Sequence, residues 1–123
     1  MRPHRTLEAW KESIQLVKEI YILTREFPSE EKYGLISQLR RAAVSISLNI
    51  AEGAARQSDK EYVKFLFISE GSISEVDTIL ELTRVLEIIS EEQAQRHVKK
   101  NERVSALVSG LRKSIERKIK EKG

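Results

Sequence analysis

Apolar side chains recur along the chain at intervals of three and four, the spacing of one helical face, between only a few breaks. In the first segment the stripe is Leu7, Trp10, Ile14, Val17, Tyr21 and Thr24. Phe27-Pro28 ends it, because a residue before proline avoids the helical region. Ser29 is placed to cap a second helix, with Glu30 and Glu31 in the first turn where the helix dipole favours negative charge. Its stripe is Ile36, Leu39, Ala43, Ile46 and Ile50, and Gly53 with the small polar run to Ser58 closes it. Ser58-Asp59-Lys60-Glu61 has the form of a capping box and opens a third helix. There Tyr62, Phe65, Ser69, Ser72, Val76, Ile79, Thr83 and Leu86 make one row, Leu66, Ile73 and Leu80 flank it, and Ile68, Leu82 and Ile89 lie on another side. An apolar face that wide needs more than one neighbour. Ser90-Glu91-Glu92-Gln93 repeats the capping box and starts a fourth helix, striped by Val104, Leu107, Val108, Leu111, Ile115 and Ile119.

The predicted helices span approximately 6–27, 30–53, 59–89 and 91–120 within one domain of residues 1–123. Short links between long helices make neighbours antiparallel, so the pattern predicts an all-α fold, an antiparallel up-down-up-down four-helix bundle. No strand candidate competes. Small residues crowd the middle pair: Ala42, Ala43, Ser45, Ser47, Ala51, Ala54 and Ala55 on or after the second helix, and Ser69, Gly71, Ser72 and Ser74 on the third. They predict a close approach of those two axes. Gly71 costs about 1 kcal/mol relative to Ala inside a helix, so a packing contact is expected to require it.

Composition adds exclusions. The 123 residues, 40% of them hydrophobic, suit one core, and the absence of Cys removes disulfides, thiolate metal sites and a cysteine nucleophile together. A charged, amphipathic N-terminus lacks the apolar stretch of a secretory signal, and no run approaches the ~18 apolar residues of a membrane span. A soluble, cytoplasmic protein without a membrane is the expectation. Net charge is only +3, but residues 95–123 hold ten basic side chains against three acidic ones, a net +7, which leaves −4 on the rest. Residues 70–92 carry seven carboxylates against Arg84 alone. The chain is electrically polarised along its length.

Catalytic patterns fail one by one. A di-metal bundle needs Glu-x-x-His pairs, but Ala94 stands three residues before His97 and no acid precedes His4 at that spacing. No two histidines lie four apart, no glycine loop precedes Lys-Ser or Lys-Thr, and Gly71-Ser72 lies inside a helix rather than at a nucleophile elbow. No enzyme, metal or cofactor is expected, and His97 reads as a packed or surface histidine.

Two sets of polar residues remain. Arg40 and Arg41 sit beside the apolar stripe of the second helix, as partners for Glu70, Glu75 or Glu52 in a structural polar network or as phosphate contacts. Asn49 and Glu52, one turn apart, suit a polar clasp at the helix end. On the fourth helix, Arg96, Lys99, Lys100 and Arg103 are expected to face the acidic second half of the third. Arg112, Lys113, Arg117, Lys118, Lys120 and Lys122 lie toward the other end, near Lys60 and Lys64. This group is the candidate nucleic-acid interface, with a solvated tail as the plainer reading.

The stretch from Tyr33 to Gly53, with Trp10, Phe27-Pro28, Arg56-Gln57-Ser58 and Phe65 to Ser72, strongly resembles a bacterial family. These are the four-helix-bundle proteins encoded in intervening sequences of 23S ribosomal RNA genes, and the resemblance covers roughly residues 5–90. It implies a bundle that assembles as a ring, typically a homopentamer, without known catalytic activity. A related branch, the accessory variability determinants of diversity-generating retroelements, is similar in fold and works as a basic pentamer binding nucleic acid and a reverse transcriptase. With the resemblance, Ile68, Leu82 and Ile89 become oligomer-interface candidates. The leading expectation is a non-enzymatic homo-oligomer binding RNA or DNA. The alternative is a protein-interaction scaffold, for example for a reverse transcriptase or a ribosome-associated factor, without direct nucleic-acid contact.

Overall fold

Among residues 3–31 and 34–122, which the computed structural model describes, the chain forms four α-helices and no strand. They are α1 (Glu8–Thr24), α2 (Leu35–Ala54), α3 (Asp59–Val85) and α4 (Glu91–Lys122), with short 3-10 turns at Pro3–Thr6 and Ser29–Glu31. All four helices were legible from periodicity, but three boundaries move. The first helix stops at Thr24, before Phe27. Ser29 does not cap α2: the Glu31 amide donates to the Pro28 carbonyl at 2.9 Å and Gly34 to Glu31 at 3.1 Å, so a tight turn intervenes and α2 starts at Leu35. The third helix ends four residues early because Glu87 adopts φ 60°, a left-handed conformation uncommon outside glycine. The Ile88 amide then reaches back to the Thr83 carbonyl at 2.9 Å and Glu87 to Arg84 at 3.0 Å, the paired bonds of a Schellman C-cap.

Both capping boxes begin helices, with different completeness. Ser90 Oγ accepts from the Gln93 amide at 3.1 Å while the Ser90 amide donates to Gln93 Oε1 at 2.9 Å. Ser58 Oγ accepts from the Glu61 amide at 3.3 Å, with no reciprocal bond from the glutamate among the described residues.

All four helices feed one core. Leu16 and Ile20 of α1, Leu39, Ile46 and Ile50 of α2, Leu66, Val76 and Leu80 of α3, and Val104 and Val108 of α4 are fully buried. Each contributes about 1.5–3 kcal/mol by leaving water. On α1 the buried row is Ala9, Ser13, Leu16, Ile20 and Leu23, one residue behind the expected stripe, of which Thr24 is buried, Ile14 and Tyr21 are exposed, and Trp10 and Val17 lie at the core's edge. Trp10 meets the His4 ring edge-on at 4.9 Å, and the Arg5 guanidinium lies 5.5 Å from its ring, which docks the first turn onto α1.

Small residues hold the middle pair close. Ser69 Oγ donates to the Ile46 carbonyl at 3.0 Å, Ser72 Oγ to Ser45 Oγ at 2.9 Å, and Ser13 and Ser47 hydroxyls meet across α1 and α2 at 2.8 Å. Gly71 departs from expectation: it is exposed, with open space where a Cβ would stand. The glycine that packing requires is Gly53, where a Cβ would come within 2.9 Å of Tyr62 Cδ1, 3.0 Å of Phe65 Cβ and 3.2 Å of the Tyr62 carbonyl.

Substituting Gly53→Ala gains about 1 kcal/mol of helix propensity. It also forces α2 and α3 apart, at about 1–3 kcal/mol of overpacking. Two of the three obstructing atoms belong to or adjoin the backbone, so the second effect wins. Urea denaturation should give a lower midpoint for the variant, and an unchanged or raised midpoint would refute this account of the helix pair.

Candidate nucleic-acid interface

The last four turns of α4 lie beside the start of α3. Lys60 and Lys120 line a shallow groove with Val63, Glu116 and Ile119, and Lys60 and Lys122 line a second with Gln57, Ser58 and Asp59. Lysines from two helices thus converge on either side of Ile119. Lys64, Lys113, Arg117 and Lys118 are likewise exposed. Lys122 lies 3.5 Å from Asp59, whereas Lys60, Lys64, Lys113, Arg117, Lys118 and Lys120 make no ion pair among the described residues.

Arg112 stands apart from this group. Its side chain is only 15% exposed and bonds both Glu70 and Glu116, the latter at 2.6 Å. The guanidinium also lies 4.6 Å from the centre of the Phe67 ring, itself 51% exposed. Glu70, followed by Glu116, pushes the Arg112 pKa further up against the opposing effect of burial. This side chain fastens α4 to α3. At the start of α3, burial and then Asp59 push the Tyr62 hydroxyl up.

The upper half of the basic segment pairs differently from expectation. Lys100 Nζ lies 2.6 Å from Glu12 and 3.9 Å from Glu19, and Arg103 Nε lies 3.2 Å from Glu12, so these cations bond α1 rather than the acidic half of α3. Arg96 and Lys99 are exposed. The acids at the end of α3 find Arg84 instead, which bonds Glu81 and lies 3.6 Å from Glu91. Hydrogen bonds from Lys100 and Arg103 hold the Glu12 carboxyl below its ordinary value.

The other polar candidates scatter. Arg40 forms no ion pair among the described residues; its Nε donates to Thr24 Oγ1 at 2.8 Å and the guanidinium covers the Tyr21 ring at 4.3 Å, joining α2 to α1. Arg41 and Glu75 are exposed. Asn49 donates to the Ser45 carbonyl at 2.8 Å and Glu52 pairs with Arg56 at 3.0 Å, so no clasp joins them. His97 is packed, 3% exposed, with Nδ1 bonded to the Gln93 carbonyl at 2.7 Å. Of the interface candidates, Ile68 and Leu82 are 51% and 45% exposed, whereas Ile89 is buried in the chain's own core because the Schellman turn folds it inward. Phe67, Val85 and Leu86 are exposed apolar residues on or just past α3 that periodicity did not single out as a surface. Offset from the buried row was the available signal for Phe67 and Val85, whereas Leu86 was expected on that row and is exposed because α3 ends at Val85. No described helix is long and apolar enough to cross a membrane.

The helices, single core and charged outer end define an all-α protein of the four-helix-bundle class. It belongs to the 23S rRNA-intervening sequence protein family, whose profile matches residues 5–110. The basic stretch from Arg112 onward lies beyond that match. A crystal structure of a protein of unknown function from the S23 ribosomal protein family of Bacteroides thetaiotaomicron superposes with a TM-score of 0.79 at 24% identity, over 85% of this chain and 98% of that one. That likeness concerns the fold. No curated protein matches the chain.

The Glu12 pairing carries a pH signature. A carboxylate held below its ordinary 4.5 stabilises the fold fully above that value and loses the contribution as pH falls through the lower folded-state value. The variant Glu12→Gln should therefore be less stable than the parent at neutral pH, with the gap closing below about pH 4.5 in urea midpoints. A constant gap down to pH 3 would show that the pairing is not its source.

Proposed function

We propose that the chain is a non-enzymatic subunit of a homo-oligomeric ring, a homopentamer, that binds RNA or another nucleic acid through the basic end of α4 and the start of α3. Within each subunit the helices run up-down-up-down in antiparallel order. The observation that carries this reading is the set of six exposed cations without ion-pair partners among the described residues: Lys60, Lys64, Lys113, Arg117, Lys118 and Lys120. Charges consumed internally, those of Lys100, Arg103 and Arg112, are removed from the count. Apart from Arg96 and Lys99 near the start of α4, what remains of the basic segment is concentrated at one end, and repetition around a ring multiplies the local field although each chain carries only +3. Such a surface recognises phosphates by charge and not base sequence.

A second reading rests on the exposed apolar row of Phe67, Ile68, Leu82, Val85 and Leu86. It fits a scaffold that presents α3 to a protein partner such as a reverse transcriptase or a ribosome-associated factor. In the ring reading the same row is the contact between subunits, since a patch of that kind seldom stays open to water.

One experiment addresses both. Titration of a structured RNA by fluorescence anisotropy at rising salt should give an affinity that falls steeply, by a slope of about −0.7 to −0.9 per phosphate contact. Joint substitution of Lys113, Arg117, Lys118 and Lys120 by Gln should weaken binding by at least about tenfold and flatten the slope. No binding at low salt, or indifference to salt, overturns the nucleic-acid reading, and a monomer by light scattering at micromolar concentration overturns the ring.

A further inference from the structure

Gly71 sits inside α3, yet nothing in the subunit requires it: it is exposed, and a Cβ there would stand in open space. Glycine is a poor helix former, so the contact that calls for it comes from outside the chain. Its surroundings describe that contact. Ile68, Glu75 and Leu82 are spaced seven residues apart, two helical turns, and Gly71 and Thr78 fall between them at steps of three and four, so all five share the outer face of α3. All five are exposed, and Ile68 and Leu82 lie about 21 Å apart along the helix. The face therefore has two apolar ends and a low waist at Gly71. That waist holds one carboxylate, Glu75, which makes no ion pair among the described residues.

The opposite flank of the subunit carries the complement. The helices α1 and α3 each pack against α2 and α4, so their outer faces point away from each other. On α1, Ile14 and Tyr21 are seven residues apart, as are Lys11, Lys18 and Arg25, and all five are exposed on the side turned from the buried row. The three cations form no ion pair among the described residues. The carboxylates between them are held elsewhere, Glu12 by Lys100 and Arg103 and Glu19 at 3.9 Å from Lys100. This ridge is left apolar and basic.

Charge decides how the two faces are used. A two-fold pairing of α3 with α3 across the waist would set the two Glu75 carboxylates together, and α1 against α1 would crowd lysines; each is repulsive. Packing α1 on α3 removes both conflicts. Lys11 and Lys18 bracket Ile14 at three and four residues, so with Ile14 seated on the Gly71 waist either helix direction brings one of them beside Glu75. We infer that the outer face of α3 docks on the α1 ridge of a second copy of this chain, with Ile14 over Gly71 and a lysine on Glu75. Because the two faces differ and lie on opposite flanks, the contact joins copies head to tail. The inference rests on the homo-oligomeric reading above and adds the face that the neighbour presents.

The absence of cysteine makes the contact open to cross-linking. Variants Ile14→Cys and Thr78→Cys, mixed in urea, refolded together and treated with a short bismaleimide, should give a linked dimer, and either variant alone should not. Gly71→Leu meets open space within the subunit and should keep its helical circular dichroism, while the concentration for half-dissociation by light scattering rises at least about tenfold. Glu75→Lys should weaken assembly likewise, and adding Lys11→Glu with Lys18→Glu should restore the parent's mass. A monomeric parent at micromolar concentration overturns this pairing together with the homo-oligomeric reading. With an oligomeric parent, the pairing alone is overturned if Thr78→Cys links to itself, if no link joins positions 14 and 78, or if Gly71→Leu and Glu75→Lys assemble as the parent does.

Discussion

The bundle depends on how closely α2 and α3 approach. Gly53 lies where any side-chain carbon would strike the Tyr62 ring and the Phe65 Cβ, and about two turns earlier on α2 the Ile46 carbonyl is near enough to accept from Ser69. A serine can reach a carbonyl of another helix only if neither surface carries bulk between them. Directional bonds of this kind do what apolar contacts cannot: they fix rotation as well as distance. Once α3 is turned so that Ser69 and Ser72 face α2, Phe67, Ile68, Gly71 and Leu82 must face outward. The exposed apolar row is therefore a consequence of the serines, and Gly71 belongs to that outer surface.

Charge closes the structure at its edges. Glu12 on α1 takes Lys100 and Arg103, and Glu70 on α3 takes Arg112, so α4 is held from both sides by carboxylates of its neighbours. These half-buried pairs tie the helices together, and they also select which cations stay free. The polarised sequence is thus partly neutralised inside the subunit. Arg96 and Lys99 stay free near the start of α4, and the larger share of the unneutralised charge lies at its end.

Helix number and core were readable from spacing because Leu39, Ile46, Leu66, Val76 and Leu80 are both large and buried. On α1 that correspondence breaks. Ala9 and Ser13 are buried because they sit where helices crowd, while Ile14, Tyr21 and Ile22 are at least partly in water. Counting large apolar residues therefore selects the neighbouring stripe. The end of α3 was hidden for another reason: a glutamate holds the left-handed position where glycine would have announced the turn, and the turn alone sends Ile89 inward and leaves Leu86 out. Ion-pair partners were illegible because α4 touches two helices, and sequence order favours α3, the nearer along the chain. The basic end was legible as a run of Lys and Arg, but only geometry separates Arg112, which holds Glu70, from Lys113 beside it.

The first turn of the chain offers a consequence of a different kind. Trp10 is the sole tryptophan, and it lies against His4 and Arg5 at the rim of the core. Indole emission in this protein is therefore a single-site optical signal. It reports whether the N-terminal turn is seated on α1.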